Sequence, residues 1–456
     1  MPGWLYQATG GAPNPRNPWW SLAIIVVSGL AYAGVIASTR RQLYAMVLWL
    51  FTYVFMGLAP YVQYRLDVSL STTPYLDASL YPLAGVVMVV CSLAALAGSL
   101  LAGQSRRPAR TLRPTLVDRR NANLLTLVAV ALFLYYGNAI GFGSFLLSRG
   151  ELSSLRAATW GNPATMNLLT GGLNMTLLVA FLAQMAVRRQ RLTAGLRASM
   201  LPALMMGVLL LYVVNPVNTA RYVAGTVILA ILAALGAYAT VNRARIVAVA
   251  ALAGLLFLFP IADTFRHSTS ESIQVENPVT ALTSGDFDAF AQFVNTLDYL
   301  DASGPTYGWQ LVGVLLFWVP RSLWPGKPED TGIVLADYMG YKFANISSPM
   351  WTELAINFGV VGAVLGMGLL GYWFRSMDRA TDAHLRVFPV PPLLAGVTTF
   401  YLLIVLRGSL LNAMSSLAVV LLASWFVTRK SRRAVAGSQH PAPRHVAATK
   451  VVTART

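Results

Sequence analysis

Arginine is costly inside a membrane, yet this chain places several at the ends of long apolar runs. Arg221 follows NPVNTA in a short polar turn between two such runs, and Arg407 ends FYLLIVLR before GSLLNAM turns back almost at once. Arg149 stands in FLLSRGEL and Arg266 in DTFRHSTSES, while Arg321 and Lys327 sit amid two tryptophans and three prolines in FWVPRSLWPGKPED. A guanidinium presents a planar fork that holds phosphate oxygens bidentately, and an ammonium adds a point charge. Together they suit a diphosphate, whose charge needs stabilising wherever no metal does so. The blander reading is that each cation snorkels to the headgroups. Arg221 and Arg407 resist it best, because their turns are too short to carry a charge far from the spans.

Chemistry at a hydroxyl would also use a proton acceptor. His267, Glu329, Asp330 and Glu353 are the candidates near these cations. His267 stands beside Arg266, whose charge depresses its pKa, and a solvated loop histidine is the simpler account of it. Asp330 and Glu353 equally suit ion pairs with the arginines, so no base is chosen. Pro320, Pro325 and Pro328 each fix φ and stiffen the turn that carries Arg321 and Lys327. Trp318 and Trp324 either stack on flat ligand faces or anchor the turn among headgroups, and anchoring is the commoner use.

What positions these residues follows from composition. The chain has 456 residues, 56% hydrophobic and 11% charged, with mean hydropathy +0.58. Runs of about 20 apolar residues match a hydrocarbon core roughly 30 Å thick. Alternating barrel strands are absent, so the sequence reads as an all-α polytopic membrane protein. Spans are expected at Trp19–Ser38, Leu43–Gln63, Tyr81–Ala102, Asn123–Ile140, Asn167–Val187 and Ser199–Val214. Five more follow at Tyr222–Thr240, Ile246–Ile261, Glu353–Phe374, Pro389–Leu406 and Leu411–Thr428, giving about 11 transmembrane helices. No cleavable leader is expected, because the first residues are polar and rich in glycine and proline. The single cysteine, Cys91, excludes a disulfide within one chain and reads as a small hydrophobe.

The connections alternate in charge. TRRQ at Thr39, the stretch after Ser105, RRQR at Arg188, NRAR at Asn242, RSMDRATDAHLR at Arg375 and RKSRR at Arg429 share one side. That side holds 24 of the 34 Lys and Arg residues but only 3 of the 17 acids, namely Asp118, Asp378 and Asp382. Short basic loops stay cytoplasmic, which puts the N-terminus outside and the C-terminus inside. The net charge of +17 is therefore a topology signal, and nucleic acid is not needed to explain it. The basic tail, residues 429–456, is expected to be disordered and to touch anionic headgroups.

Residues 1–261 thus form an N-terminal group of eight helices and residues 353–428 a C-terminal group of three. Between them, residues 262–352 are too long for a connector and are expected to fold as an extracytoplasmic loop domain. Within it, GDFDAFAQFVNTLDYLDA reads as an amphipathic helix at the interface, its apolar positions from Phe287 to Leu300 at helical spacing. GWQLVGVLLFWV is too short to cross and is expected to dip into the outer leaflet or dock on the bundle.

PRSLWPGKPEDTG, preceded by GDFDAF and TYGWQLVGVLLFWVP, resembles the outer-loop signature of Wzy-type oligosaccharide repeat-unit polymerases, the O-antigen polymerase-like family. The arginine after the short turn at Arg221 and the RGS at Arg407 are similar to that family's pattern; the resemblance covers roughly Leu211 to Leu411. It implies a GT-C-like glycosyltransferase of the cytoplasmic membrane that joins polyprenyl-pyrophosphate-linked oligosaccharide units on the outer face. It also implies no metal, cofactor or nucleotide sugar, in line with a sequence in which no D-x-D, HExxH, Walker or GxGxxG signature is assigned. A flippase and a chain-length regulator would be its partners. In that setting Arg221, Arg321 and Arg407, with Asp330, Glu353 and His267, are the expected catalytic residues. Arg149, Arg266, Lys327, Trp324 and Trp318 are the expected substrate contacts. A ligase of the same class and a polysaccharide transporter are the alternatives.

Overall fold

A backbone in lipid must satisfy its own hydrogen bonds, which a helix does within one segment. The computed structural model describes residues 2–10, 16–104, 115–215, 217–258, 278–343 and 346–430. Helices dominate them: α1 (Pro2–Ala8), α2 (Trp19–Ala37), α3 (Leu43–Arg65), α4 (Ala78–Gln104) and α5 (Arg119–Ile140). Next come α6 (Arg149–Trp160), α7 (Pro163–Thr193), α8 (Leu201–Val213), α9 (Arg221–Ala234) and α10 (Val241–Ala253). The long connection holds α11 (Ala289–Ser303), α12 (Trp309–Leu315) and α13 (Thr331–Tyr338), before α14 (Met350–Leu385), α15 (Leu393–Arg407) and α16 (Leu410–Val427). Among the described residues the one sheet is a two-stranded antiparallel ladder of β1 (Thr115–Val117) and β2 (Thr428–Lys430).

Among the described residues seven helices (α2, α3, α4, α5, α7, α14 and α16) are long and apolar enough to cross a membrane. Their surface is turned inside out relative to a water-soluble bundle: Val361, Leu365 and Leu369 on one face of α14 are 72%, 64% and 71% exposed. The chain is a membrane protein. Three spans of the expected eleven are cut short, since α8, α9 and α15 are apolar but hold only 13, 14 and 15 residues. Each is roughly 20–22 Å long at 1.5 Å per residue. Helix α9 stops well before Thr240 because Gly236 takes φ +88°, a left-handed value that ends a helix, and the Thr240 hydroxyl then caps α10. The expected span Ile246–Ile261 is described to residue 258, as the end of α10 and a π-helical turn, Gly254–Leu258. Its last residues lie outside the described ones, as do most of the basic stretch after Ser105, Arg266, His267 and residues 431–456 of the tail.

Helix α3 is enclosed along its apolar length by α2, α14 and α15. Helix α4 crosses α14 backbone to backbone, since a Cβ on Gly98 would strike the Gly368 carbonyl and one on Gly371 the Ala95 carbonyl. Small residues let membrane helices approach this closely.

The basic stretch RSMDRATDAHLR is not a loop. Helix α14 runs through it to Leu385, because its acids find buried partners. Asp378 accepts from the Tyr44 and Ala45 amides at 2.8 and 3.0 Å, capping the start of α3 from another helix. Asp382 receives Arg41 Nε at 2.8 Å. Asp118 likewise caps α5 and pairs with Arg429 at 3.0 Å, so the expected tail begins in the β-ladder.

The long connection also departs from expectation. Every residue of α11 from Ala289 to Leu297 is buried, and its helix packs on α3, α4, α13 and α14. It is embedded in the protein rather than lying at the membrane interface. Its aromatic residues explain why: Phe290 stacks on Trp20 at 4.7 Å and Phe287 on Phe55 at 5.0 Å. Within this stretch α11 packs into the bundle, whereas Leu335, Ala336, Tyr341 and Ile346 form a second, smaller apolar cluster with Ile356.

Candidate functional site

Helix α9 begins at Arg221 and helix α15 ends at Arg407; the two helices pack together, which sets both cations at one end of the bundle. A cation at a helix C-terminus is favoured by the helix dipole, and one at an N-terminus is not. Arg221 therefore needs an anion. It finds Asp286, with Nη2 2.8 Å from Oδ2. Arg407 approaches the other oxygen of the same carboxylate, Nη2 to Oδ1 at 3.5 Å, and its Nε and Nη2 each donate to the Asp286 carbonyl at 3.2 Å. One carboxylate thus sits between two guanidinium forks from different helices, with all three side chains at most 15% exposed.

Asp288 is the second acid of this centre, 1% exposed and 3.8 Å from Arg407. Burial pushes its carboxyl above the usual range, Arg407 and the Ser347 amide pull it back, and Asp286 adds to the rise. The Arg407 guanidinium also lies over the Tyr222 ring, 5.2 Å from its centre.

Glu353, in the first turn of α14, is 1% exposed and ties three segments to this centre. Its oxygens accept from Thr331 Oγ1 at 3.0 Å, Ser348 Oγ at 3.1 Å and the Leu410 amide at 3.0 Å. The Ser348 amide donates in turn to the Arg407 carbonyl at 3.2 Å. Nearby, the Asp330 carboxyl caps α13 through the Gly332 amide at 2.9 Å, and Thr331 beside it is the residue that reaches Glu353. Burial pushes the Asp330 carboxyl up, while Ser409 and the Gly332 and Ile333 amides pull it down. The turn R-G-S-L from Arg407 is thereby held by Glu353 at the start of α14 and by Ser348 just before it. Just above, Gly359 breaks α14 with φ +71°, so its first turns form a separate ledge for Glu353.

The structure divides the expected site residues. Arg221, Arg407, Glu353 and Asp330 come together. Arg321 and Lys327 are spent on their own turn: Arg321 donates to the carbonyls of Lys327 and Pro328 at 2.8 and 3.2 Å. Lys327 Nζ donates to those of Phe317 and Val319 at 2.6 and 2.9 Å, just past the end of α12. The slight burial of the Lys327 ammonium and the charge of Arg321 lower its pKa. Arg321 also stands 3.8 Å from Glu329, both about half exposed. Trp324 meets Trp309 edge to face at 5.5 Å, and Trp318 is 68% exposed. Arg149 opens α6, whose Ser148 and Glu151 form a capping box. Arg266 and His267 lie outside the described residues.

In sequence Asp286 and Asp288 read as acids off the apolar face of an amphipathic helix. They do form a D-x-D, contrary to the sequence reading, but both carboxylates face arginine. Two acids just before nine buried helical residues were the available signal. The described residues contain no group of three or more His, Cys, Asp or Glu side chains placed to hold a metal. No family model, curated protein or solved structure matches the chain.

Proposed function

We propose that the chain is a metal-independent, GT-C-like glycosyltransferase that joins polyprenyl-pyrophosphate-linked oligosaccharide units on the outer face of the cytoplasmic membrane. The observation that carries this is the convergence of Arg221 and Arg407 on the single Asp286 carboxylate, at 2.8 and 3.5 Å. Two guanidiniums that each bring Nη2 to one carboxylate suit a phosphate group, and the site adjoins apolar helix ends where a polyprenyl tail stays in lipid. Asp286 then occupies the place that a donor phosphate takes on binding.

In the reaction the bond from the sugar's anomeric carbon to the diphosphate oxygen breaks, and its electron pair leaves with the polyprenyl diphosphate. The acceptor hydroxyl oxygen bonds to that carbon and releases its proton. Arg221 and Arg407 take up the growing phosphate charge, in a buried setting where preorganised donors act most strongly. Asp288 and Asp330, whose basicity burial raises, are the candidates for the proton. A second reading is transport, favoured by the π-helical turn Thr52–Leu58 in the enclosed α3 and the break of α14 at Gly359, since transporters bind at interrupted helices.

The test is glycan synthesis in cells lacking this protein. Loss of long polymer and build-up of single lipid-linked units on the outer face, restored by the parent, is expected. Build-up on the inner face would establish transport instead, and unchanged polymer would remove both.

A further inference from the structure

At the opposite, basic end of the bundle a narrow cleft opens between the α2–α3 turn, α3, and α10 with the turn before it. Its lining divides by chemistry. Arg40, Arg41 and Arg245 edge the polar part, and Leu43, Met46 and Ala248 are among the residues of the apolar part.

Two buried donors at this cleft have no partner among the described residues. The Tyr238 hydroxyl is one, on a side chain 1% exposed whose ring stacks on Phe400 at 5.6 Å. The Arg245 Nε is the other. The remaining Arg245 donors are occupied by Asn242 and the carbonyls of Ala37 and Ser38. Arg41 is largely committed to Asp382 and to the Ala239 and Leu385 carbonyls. Arg40 is exposed, and its amide rests on the Ser38 hydroxyl at 3.0 Å. Buried polar groups in folded proteins are nearly always hydrogen-bonded, so orphans that are all donors ask for an acceptor. Three guanidiniums line the cleft and no carboxylate does, while Asp382 and Asp378 are committed beside it to Arg41 and to the start of α3, which makes that acceptor an anion.

We infer that this cleft binds a phosphate-bearing anion, and that its source is the headgroup of an anionic phospholipid. Tyr238, Arg245 and Arg40 hold the phosphate oxygens, and the glycerol and upper acyl chain lie along Leu43 and Met46. Basic pockets between membrane helices bind anionic headgroups in this way. A free phosphate shares the oxygen chemistry but has nothing to place on the apolar half. The inference is independent of the proposed reaction, which takes place at the other end of the molecule.

The experiment compares the full chain in detergent with Tyr238→Phe and Arg245→Gln. Tyr238→Phe removes one oxygen and keeps the ring stack, so it leaves the fold intact. Unfolding midpoints are read on titration with phosphatidylglycerol, phosphatidylcholine or inorganic phosphate. Phosphatidylglycerol should stabilise the parent, phosphatidylcholine and inorganic phosphate should not, and each variant should need about tenfold more lipid for the same shift, the cost of one charged hydrogen bond. Equal stabilisation by inorganic phosphate, lost in both variants, would keep the anion site but overturn the lipid as its source. No stabilisation of the parent, or variants that respond like the parent, would overturn the site itself.

Discussion

Asp286 stands 2.8 Å from Arg221, at the mouth of a helix whose dipole repels the cation, and the same carboxylate takes up Arg407 on its other side. The acid is a counterion built into the chain. It lets two guanidiniums lie nearly buried and side by side without a ligand, a state that two unpaired charges would not tolerate.

Removing Asp286 should therefore destabilise the protein when no ligand is present. Asp286→Ala takes the carboxylate from Arg221 and leaves Arg407 only Asp288 as a nearby acid, and a loss of about 3–5 kcal/mol is expected. A lowered unfolding midpoint in detergent checks this. Partial recovery with millimolar pyrophosphate should follow, because the added anion replaces the missing one.

Glu353 is expected to act through Arg407, by holding the turn that carries it. Glu353→Ala strips the acceptor from a buried amide and two hydroxyls, at a cost of roughly 2–4 kcal/mol. Glu353→Gln retains one acceptor oxygen and should lose less. If the residue positions Arg407, Glu353→Gln should weaken binding of a prenyl diphosphate while leaving the unfolding midpoint nearly intact.

Arg321 and Lys327 should matter to the turn more than to the ligand. Arg321→Ala removes two hydrogen bonds at an exposed site, a change of about 1 kcal/mol. Glycan synthesis by this variant should stay much closer to the parent than synthesis by Arg407→Ala at equal membrane abundance. Equal loss in the two would bring the proline-rich turn back into the site.

Asp330 sets a pH dependence. Burial raises its folded pKa above the unfolded value near 3.9. Its contribution to stability is fully present below the unfolded pKa and is lost as pH rises through the folded one, because the unfolded chain ionises first. Asp288 acts in the same sense. Asp330→Asn should thus flatten the fall in unfolding midpoint between acid and neutral pH. An unchanged slope would assign the dependence to other groups.

The long apolar helices are legible because hydropathy acts on local sequence. Arg221 and Arg407 are legible as cations at abrupt turns between apolar runs, but that both meet Asp286 shows only in the fold. The error over α11 arose because its apolar face and its flanking acids read alike whether the helix lies on lipid or inside protein. Only tertiary packing, with Phe290 on Trp20, separates the two. Asp378 shows the same limit: within its basic stretch nothing reveals that it caps α3. Arg321 and Lys327 looked available because a hydrogen bond to a nearby carbonyl leaves no mark on residue type.

The central claim, that Asp286 holds the place of a phosphate between Arg221 and Arg407, is tested most directly by binding. A short prenyl diphosphate is titrated onto the purified protein, with Arg221→Lys, Arg407→Lys and Asp286→Asn compared. The account predicts binding by the parent, weaker binding by both lysine variants, which keep the charge but lose the fork, and tighter binding by Asp286→Asn. Unchanged affinity in all three variants would contradict it.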